Sequence, residues 1–376
     1  MYKIKDKTRC SGCGACVNVC AAGAVKMVKD ENGESYPYTD EKKCVSCGRC
    51  FSVCPYISGA SGSKGKKQYV GYINDTEVRS LSSAGGIAAA LSVCAVSSGG
   101  AVFGARYDGV FSCVHDCASD ASAIAALSGR KYVESDTGMC FSRAKELLLS
   151  GKKVVFFGTP CQIAGLNKFL GAPFDSLLAV SVGCRGVVGE LVWRKYIESV
   201  GVPESIYMTN RVDCENVCAL ALTYDDENTK YVVRRESVIH KAIESGLGLR
   251  PSCFSCIFRK KEFADLSLKR YDPFVKEKTV SRARQPMTLI TVNTEKGREA
   301  LKELEALVTL REISASEAEN YLKRIYTKKG AYNSAENTNF MKALSSDSIE
   351  TAFEKSQNKS FLVKTRVFVR NLIVKK

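Results

Sequence analysis

From Gln68 onward, short apolar runs alternate with stretches of helical period. YVGYI, AVFGARY, VVFFG and LLAVSVG read as strands, and AGGIAAALSVCAV, CFSRAKELLLSGK, CQIAGLNKFLG and VVGELVWRKYIESVG read as helices. Within CFSRAKELLLSGK, Phe141, Ala144, Leu147 and Leu148 fall on one helical face. This alternation predicts an α/β domain built on a mixed sheet. Residues 206–236 change the rhythm: IYMTNRV, CALALTY and KYVVRRE predict a small antiparallel meander. LITVNT and GREALKELEAL then resume strand and helix, with Ala300, Leu301, Leu304 and Leu307 on one face.

The first 58 residues follow neither pattern. They carry eight cysteines in two matched halves, and the stretch between the halves predicts two short strands around the turn Glu31-Asn32-Gly33-Glu34. SGASGSKGKK, at 58–67, has no large apolar side chain and predicts a flexible, solvated linker. The expected layout is therefore a domain at 1–58, a linker at 59–68, a larger domain at 69–327 and a basic tail at 328–376. The end of that tail, KSFLVKTRVFVRNLIVKK, has six basic residues and no acidic one. Its apolar triplets spread around a helix, which disfavours a membrane-lying segment and favours packing on the chain itself or on a partner.

Composition sharpens this picture through the cysteines. There are 18 in 376 residues, with only two histidines, His115 and His240. The start, MYKIKDKTRC, has no apolar signal region, and no run of apolar residues is long enough to span a bilayer. A cytoplasmic protein is expected, in which so many thiols point to metal binding rather than disulfide staples. The scarcity of histidine favours sulfur-only ligation over mixed zinc sites. The formal charge of +15 suggests an anionic partner, but four thiolates around a cubane leave each cluster at about −2, so two or three clusters offset roughly 4 to 6 charges. No basic motif interleaved with aromatics accompanies the charge, so nucleic acid is not the expected partner.

Cys10, Cys13, Cys16 and Cys20 stand at C-x2-C-x2-C-x3-C spacing, and Cys44, Cys47, Cys50 and Cys54, followed by Pro55, repeat it. Three thiolates at this spacing wrap one face of a 4Fe-4S cubane while the fourth reaches the other cluster. One cluster is therefore expected on Cys10, Cys13, Cys16 and Cys54, and the other on Cys44, Cys47, Cys50 and Cys20. Ala21 replaces the usual proline after Cys20, which changes turn rigidity and not ligation. The segment resembles bacterial two-cluster ferredoxins, which carry single electrons.

Four further cysteines lie in ligand-like contexts: Cys161 at a strand-to-helix turn, Cys184 after LLAVSV, and Cys253 with Cys256 in PSCFSC. Cys94, Cys113, Cys117, Cys140, Cys214 and Cys218 lie in apolar or strand-like runs and read as buried thiols. For Cys161 a nucleophile, half of a redox disulfide, a cluster ligand and a buried thiol all remain open. A nucleophile needs a base, which two histidines make scarce. A Cys253/Cys256 disulfide leaves Cys161 and Cys184 unexplained.

SSAGG (82–86), GRKYVESD (129–136), VVFFGTPCQIAGL (154–166), VSVGCRG (180–186), RPSCFSC (250–256), ADLSL (264–268) and TVNTEKG (291–297) together resemble the coenzyme F-420 hydrogenase/dehydrogenase beta-subunit family, which includes 7-hydroxymethyl chlorophyll a reductase. The resemblance spans roughly residues 70–310 and implies an oxidoreductase that binds FAD beside a 4Fe-4S cluster. It implies a third cluster on Cys161, Cys184, Cys253 and Cys256, and a helix start that lowers the Cys161 pKa agrees with a ligating thiolate. For the flavin, Ser82, Ser83, Gly85 and Gly86 open an apolar helix whose free N–H groups suit a pyrophosphate. Lys131, Tyr132, Thr159, Pro160, Asn293 and Thr294 match family positions near the cofactor. Departures occur at Arg130, at KRYDPF (269–274) and at QPMT (285–288), where a diverged substrate pocket is expected.

The expected fold is thus α/β, α+β overall, with a two-cluster ferredoxin-like domain ahead of a mixed-sheet flavoprotein domain. The expected activity is electron passage between clusters and a flavin that exchanges hydride with a small substrate or deazaflavin-type coenzyme. The expected partners are a ferredoxin or partner subunit and that small molecule. The alternative is a non-catalytic electron-transfer subunit of a larger redox complex.

Overall fold

A computed structural model describes residues 6–60, 62, 65, 67–209, 219–225, 228–233, 236–259, 261–272, 287–326 and 334–356. The N-terminal segment forms a lobe with one hairpin, β1 (Val25–Lys29) and β2 (Ser35–Thr39), paired antiparallel from Val25 opposite Thr39 to Lys29 opposite Ser35. Asp30 turns the hairpin: its Oδ1 accepts from the backbone N–H groups of Asn32 and Glu34, each at 3.0 Å. The expected turn is thus an Asx-type turn supported by one carboxylate.

The body is a nine-stranded sheet. Its strands are β3 (Lys67–Ile73), β4 (Ala101–Asp108), β5 (Ser112–Ala118), β6 (Ser135–Asp136), β7 (Val154–Gly158) and β8 (Leu177–Val182), with β12, β13 and β14 defined below. The predicted meander is present as β9 (Ser205–Thr209), β10 (Ala219–Thr223) and β11 (Thr229–Val233), a separate antiparallel sheet in the order β11-β10-β9. Then β12 (Leu266–Tyr271), β13 (Met287–Val292) and β14 (Val308–Ile313) complete the large sheet, ordered β14-β3-β13-β12-β8-β7-β4-β5-β6. The run β12, β8, β7, β4 is parallel, while β13, β3, β14 and β5 enter antiparallel. The sheet is therefore mixed, as the alternation predicts.

Alternation along β7 sends neighbouring side chains to opposite faces. Phe156 packs with Phe103, Phe141, Ile163 and Leu166, and Val155 packs with Ile87, Leu91, Val180 and Leu301. A third core surrounds Trp193 and Tyr196 on the helix Glu190–Ser199. Phe141, Ala144 and Leu148 are buried on the helix Cys140–Leu149, as their spacing predicts.

Ala15 and Val53 of the lobe belong to the same core as Phe141 and Phe156, so the lobe is docked on the body. Two expectations need correction. At two of the described linker positions the chain is pressed on the body: a Cβ added to Gly62 would stand 2.7 Å from Lys261 Cβ, and one on Gly65 2.1 Å from Thr291 Cγ2, whereas Gly59 has nothing within 4 Å. The tail expected from residue 328 includes the helix Ser334–Leu344 and a further two turns of helix at 349–356, whose Phe340, Leu344, Ile349 and Ala352 enter the Trp193 core. The basic run at 359–376 lies outside the described residues. In the segment after β13, the helix ends at Lys302, so Leu301 and Leu304 are buried while Leu307 is exposed. No helix among the described residues is long and apolar enough to cross a membrane.

Candidate functional site

The two halves of the lobe repeat one local device. Each C-x2-C loop runs into a glycine in the left-handed region, Gly14 at φ 77° and Gly48 at φ 74°, which opens a four-residue helix, Ala15–Asn18 or Arg49–Ser52. Only glycine takes this conformation without strain, and the reversal brings the third cysteine back towards the first two. Cys10, Cys13 and Cys16 line one cavity, and Cys54 of the other half lines it with them, beside Pro55 and Tyr56; it encloses about 330 Å3 counting its open mouth. Burial pushes the Cys13 thiol up to about 12, with Cys10 and Cys54 adding to the rise. Burial also raises Cys16, near Cys13, Cys10 and Cys54, and it raises Cys50, whose thiol neighbours are Cys20 and Cys44. Two thiol neighbourhoods result, each mixing the two halves of the repeat.

A third group forms in the body. Gly158 ends β7, and Thr159 caps the helix Pro160–Leu170 through a capping box with Gln162, which places Cys161 in its first turn. Gly158 pairs with Ser181, so Cys184, just past β8, lies at the same carboxyl edge of the sheet. Cys253 closes the short 3-10 turn Pro251–Cys253. The thiols of Cys184, Cys256 and Cys253 all raise the pKa of Cys161, which brings together four residues spread from 161 to 256. Burial is the largest influence and pushes Cys161 well above the ordinary thiol value, although Thr159 Oγ1, 3.1 Å from its sulfur, acts the other way. The expected lowering by the helix start is therefore corrected, because desolvation outweighs the helix end. Burial and Cys184 likewise push Cys253 up to about 12.

Tyr56 joins the two groups. Burial raises its phenol, and Cys256, Cys161, Cys253 and Cys10 add to the rise. Its hydroxyl is buried without a hydrogen-bond partner, as is that of Ser252 next to Cys253. Buried hydroxyls are rarely left so, and an iron-sulfur group, rich in sulfur acceptors, fits both the orphaned donors and the all-thiol sets. No disulfide joins the described cysteines, Cys253 and Cys256 included; Cys214 and Cys218 lie outside the described residues. Among the described residues no group of three or more His, Cys, Asp or Glu is spaced for a single metal ion. A cubane, with irons at four corners, holds its ligand sulfurs farther apart than one ion does.

The ten residues expected around a flavin do not form one open site. Ser82 donates to Val78 O at 2.8 Å, and Ser83 O accepts from Arg270 Nη1 at 2.9 Å. Gly85 is small because β3 and β13 press on it: an added Cβ would stand 2.4 Å from Gly71 O and 2.8 Å from Thr288 N. Gly86 meets Ile73 in the same way, at 2.5 Å. The glycines are therefore filled around by protein and offer no phosphate cradle. Lys131 caps a helix end through Ser128 O at 2.5 Å and Ala126 O at 3.2 Å, and Tyr132 hydrogen-bonds His240. Thr159 and Pro160 start the Cys161 helix. Asn293 N donates to Asp265 O, and Asn293 Nδ2 lies 3.3 Å from Ser267 Oγ, which accepts from Ser181 Oγ at 2.7 Å on β8, where Ser181 pairs with Gly158. Thr294 caps the helix Glu295–Lys302 and donates to Asp265 Oδ1 at 2.7 Å. Asn293 Oδ1 is buried without a partner.

In the departed segment, Lys269 pairs with Glu262 at 3.1 Å and Arg270 fastens the Ser83 loop. Pro273, Phe274, Gln285 and Pro286 lie outside the described residues. Sequence reasoning missed Tyr56, Ser252, Arg250 and Glu134. Arg250 and Glu134 stand inside family-like motifs, yet nothing in either string marks Arg250 as fully buried or Glu134 as its partner.

Two family models match. A 4Fe-4S dicluster domain covers residues 9–58, and the carboxyl-terminal region of the coenzyme F420 hydrogenase/dehydrogenase beta subunit covers residues 151–316. A curated relative, an uncharacterized ferredoxin of Methanocaldococcus jannaschii, is 49% identical over 35 residues. That match takes in 9% of this chain and spans 46% of the relative, about half its length. A chain of the xenon-derivatised F420-reducing [NiFe] hydrogenase complex from Methanosarcina barkeri aligns over 73% of this chain and 97% of its own, at 18% identity and a TM-score of 0.49.

Proposed function

Because residues 151–316 match the carboxyl-terminal region of the coenzyme F420 hydrogenase/dehydrogenase beta subunit and residues 9–58 match a 4Fe-4S dicluster domain, we propose that the chain is a member of that family and a one-electron relay within an oxidoreductase. In this reading Cys10, Cys13, Cys16 and Cys54 hold one 4Fe-4S cluster, Cys20, Cys44, Cys47 and Cys50 a second, and Cys161, Cys184, Cys253 and Cys256 a third. Such clusters supply one-electron chemistry at potentials set by hydrogen bonds, burial and charge. The chain's own residues supply the order of the path. Cys47 is exposed, Cys10 and Cys16 are buried, and Tyr56 adjoins thiols of both the first and the third group. That last observation carries the proposal, since electrons need closely spaced stations.

The finer reading adds a flavin that takes these electrons in pairs and exchanges a hydride with a small substrate or a deazaflavin-type coenzyme. It is supported by the family match over residues 151–316, while the ten expected contact residues give it no assembled cradle. A ferredoxin or a partner subunit would serve the exposed end of the path, in the cytoplasm. Anaerobic purification with iron quantification and an absorption spectrum tests both levels: about twelve irons per chain supports three cubanes, and a flavin band supports hydride exchange. Cys161→Ser should lose about four irons while leaving the N-terminal pair intact. An unchanged iron count in that variant returns Cys161 to a buried thiol.

A further inference from the structure

Arg250 is completely buried and it touches both halves of the relay. Its carbonyl accepts from Cys253 N at 2.9 Å, closing the turn that carries one thiol of the third group. Its guanidinium reaches back into the lobe, where Nε donates to Cys10 O at 2.8 Å, Nη2 donates to Ser35 O at 2.8 Å, and Nη2 lies 3.7 Å from Cys10 Sγ. Nη1 donates to both carboxylate oxygens of Glu134, at 2.9 and 2.7 Å. The Tyr36 ring lies 4.2 Å from the guanidinium carbon. Every edge of the fork is engaged, so the charge has a fixed place next to one cysteine sulfur.

A desolvated arginine is costly, and a lone ion pair with Glu134 returns little of that cost. Merely clamping the lobe to the body would need no charge at the sulfur, since Asn18 already bonds Gly138 O and Ser142 N across the same contact. We propose that Arg250 is a positioning residue that raises the reduction potential of the cluster held through Cys10, with Glu134 as the opposing charge that limits the rise. The proposal rests on the reading that Cys10 is a cluster ligand. Reduction adds one electron and therefore one negative charge to the cluster. A fixed cation and an N–H group aimed at a ligand sulfur favour that added charge, and a fixed anion disfavours it. Weak screening in the buried contact lets both act strongly. Arg250 and Glu134 should thus move one potential in opposite directions.

The test is an anaerobic redox titration of the full chain at pH 8.5, followed by electron paramagnetic resonance with iron counted in parallel. The signal that Cys10→Ser alters identifies the cluster concerned. Arg250→Gln should shift that cluster's midpoint to more negative values, by about tenfold in the reduction equilibrium, which is about 59 mV for one electron. Arg250→Lys keeps the charge but loses the fork, and should give a smaller shift of the same sign. Glu134→Gln should shift the midpoint positively. The cluster on Cys20, Cys44, Cys47 and Cys50 should stay put in all three variants, and the one on Cys161, Cys184, Cys253 and Cys256 should move less than the Cys10 cluster, since the Arg250 charge also reaches Cys253. Since Arg250→Gln strands Glu134 and can prevent folding, Glu134→Gln carries the test alone in that event. Retained iron with unmoved midpoints in the folded variants would overturn the proposal and leave Arg250 a strut. A wild-type chain without iron would overturn the underlying reading instead, and the proposal with it.

Discussion

The two halves of the N-terminal repeat share their cysteine spacing, their left-handed glycine and their short helix, yet their surroundings are opposite. In the first half Cys10 and Cys16 are buried, and Gly165 of the Cys161 helix approaches so closely that an added Cβ would stand 2.9 Å from Cys13 Sγ. In the second half Cys47 is exposed and Val45 is 73% exposed. Local sequence builds the loop twice, and the body decides which copy faces inward. An internal repeat therefore predicts shape more securely than environment.

The sharpest way to break this comparison is to place one methyl group at the equivalent glycines. At Gly48 nothing lies within 4 Å, so Gly48→Ala should cost only the left-handed strain of about 1–2 kcal/mol. At Gly14 the new carbon would stand 2.0 Å from Thr137 Oγ1, which donates to Cys13 O at 3.2 Å. Overpacking adds about 1–3 kcal/mol there, so Gly14→Ala should lower the anaerobic urea midpoint by the larger amount. Equal losses would show that the first half is not docked as described.

Acid sharpens the same contrast. His115 lies beneath the buried half: its ring faces Ser135 Oγ at 2.8 Å and Phe157 O at 3.1 Å, and Cys140 Sγ donates to its carbonyl. Burial lowers its pKa from 6.5 to about 4. The unfolded chain then binds the extra proton between those values, so stability is complete above about pH 6.5 and falls as pH drops towards 4. The loss attributable to this group is at most about 3 kcal/mol. His115→Gln should flatten that part of the profile of urea midpoint against pH, and an unchanged slope would assign the acid sensitivity elsewhere. The smallest expected effect is at the outer half, where Val45→Ser should change stability by no more than about 0.5 kcal/mol. A larger loss would mean that Val45 is covered.

Legibility followed the range of the interactions. The repeat, the hairpin turn at 31–34, the meander and the Phe141 helix face were readable because spacing within one element determines them. The approach of Cys54 to Cys10, Cys13 and Cys16 was readable too, since the doubled spacing specifies it. Arg250 was not readable, because its partners Cys10, Ser35 and Glu134 come from other parts of the chain and its burial depends on the lobe. The same holds for Phe340 and Leu344, whose helix looked like the beginning of a tail until the Trp193 core gave it a surface. Gly85 and Gly86 show the converse: a ligand-like pattern whose small size is accounted for by the strands behind it. The low pKa expected for Cys161 failed for a related reason, as a helix start is local while desolvation is set by the whole body.

The contacts at Gly62 and Gly65 also bear on kinetics. A lobe on a loose leash ferries its charge by swinging, and its pace follows solvent viscosity and leash length. Here Gly62 and Gly65 press on Lys261 and Thr291, and Ala15 and Val53 sit in the body's own core. On the proposed relay reading, transfer between the lobe and the body would then involve no diffusional search, and its rate would depend on a gap already fixed when the chain folds.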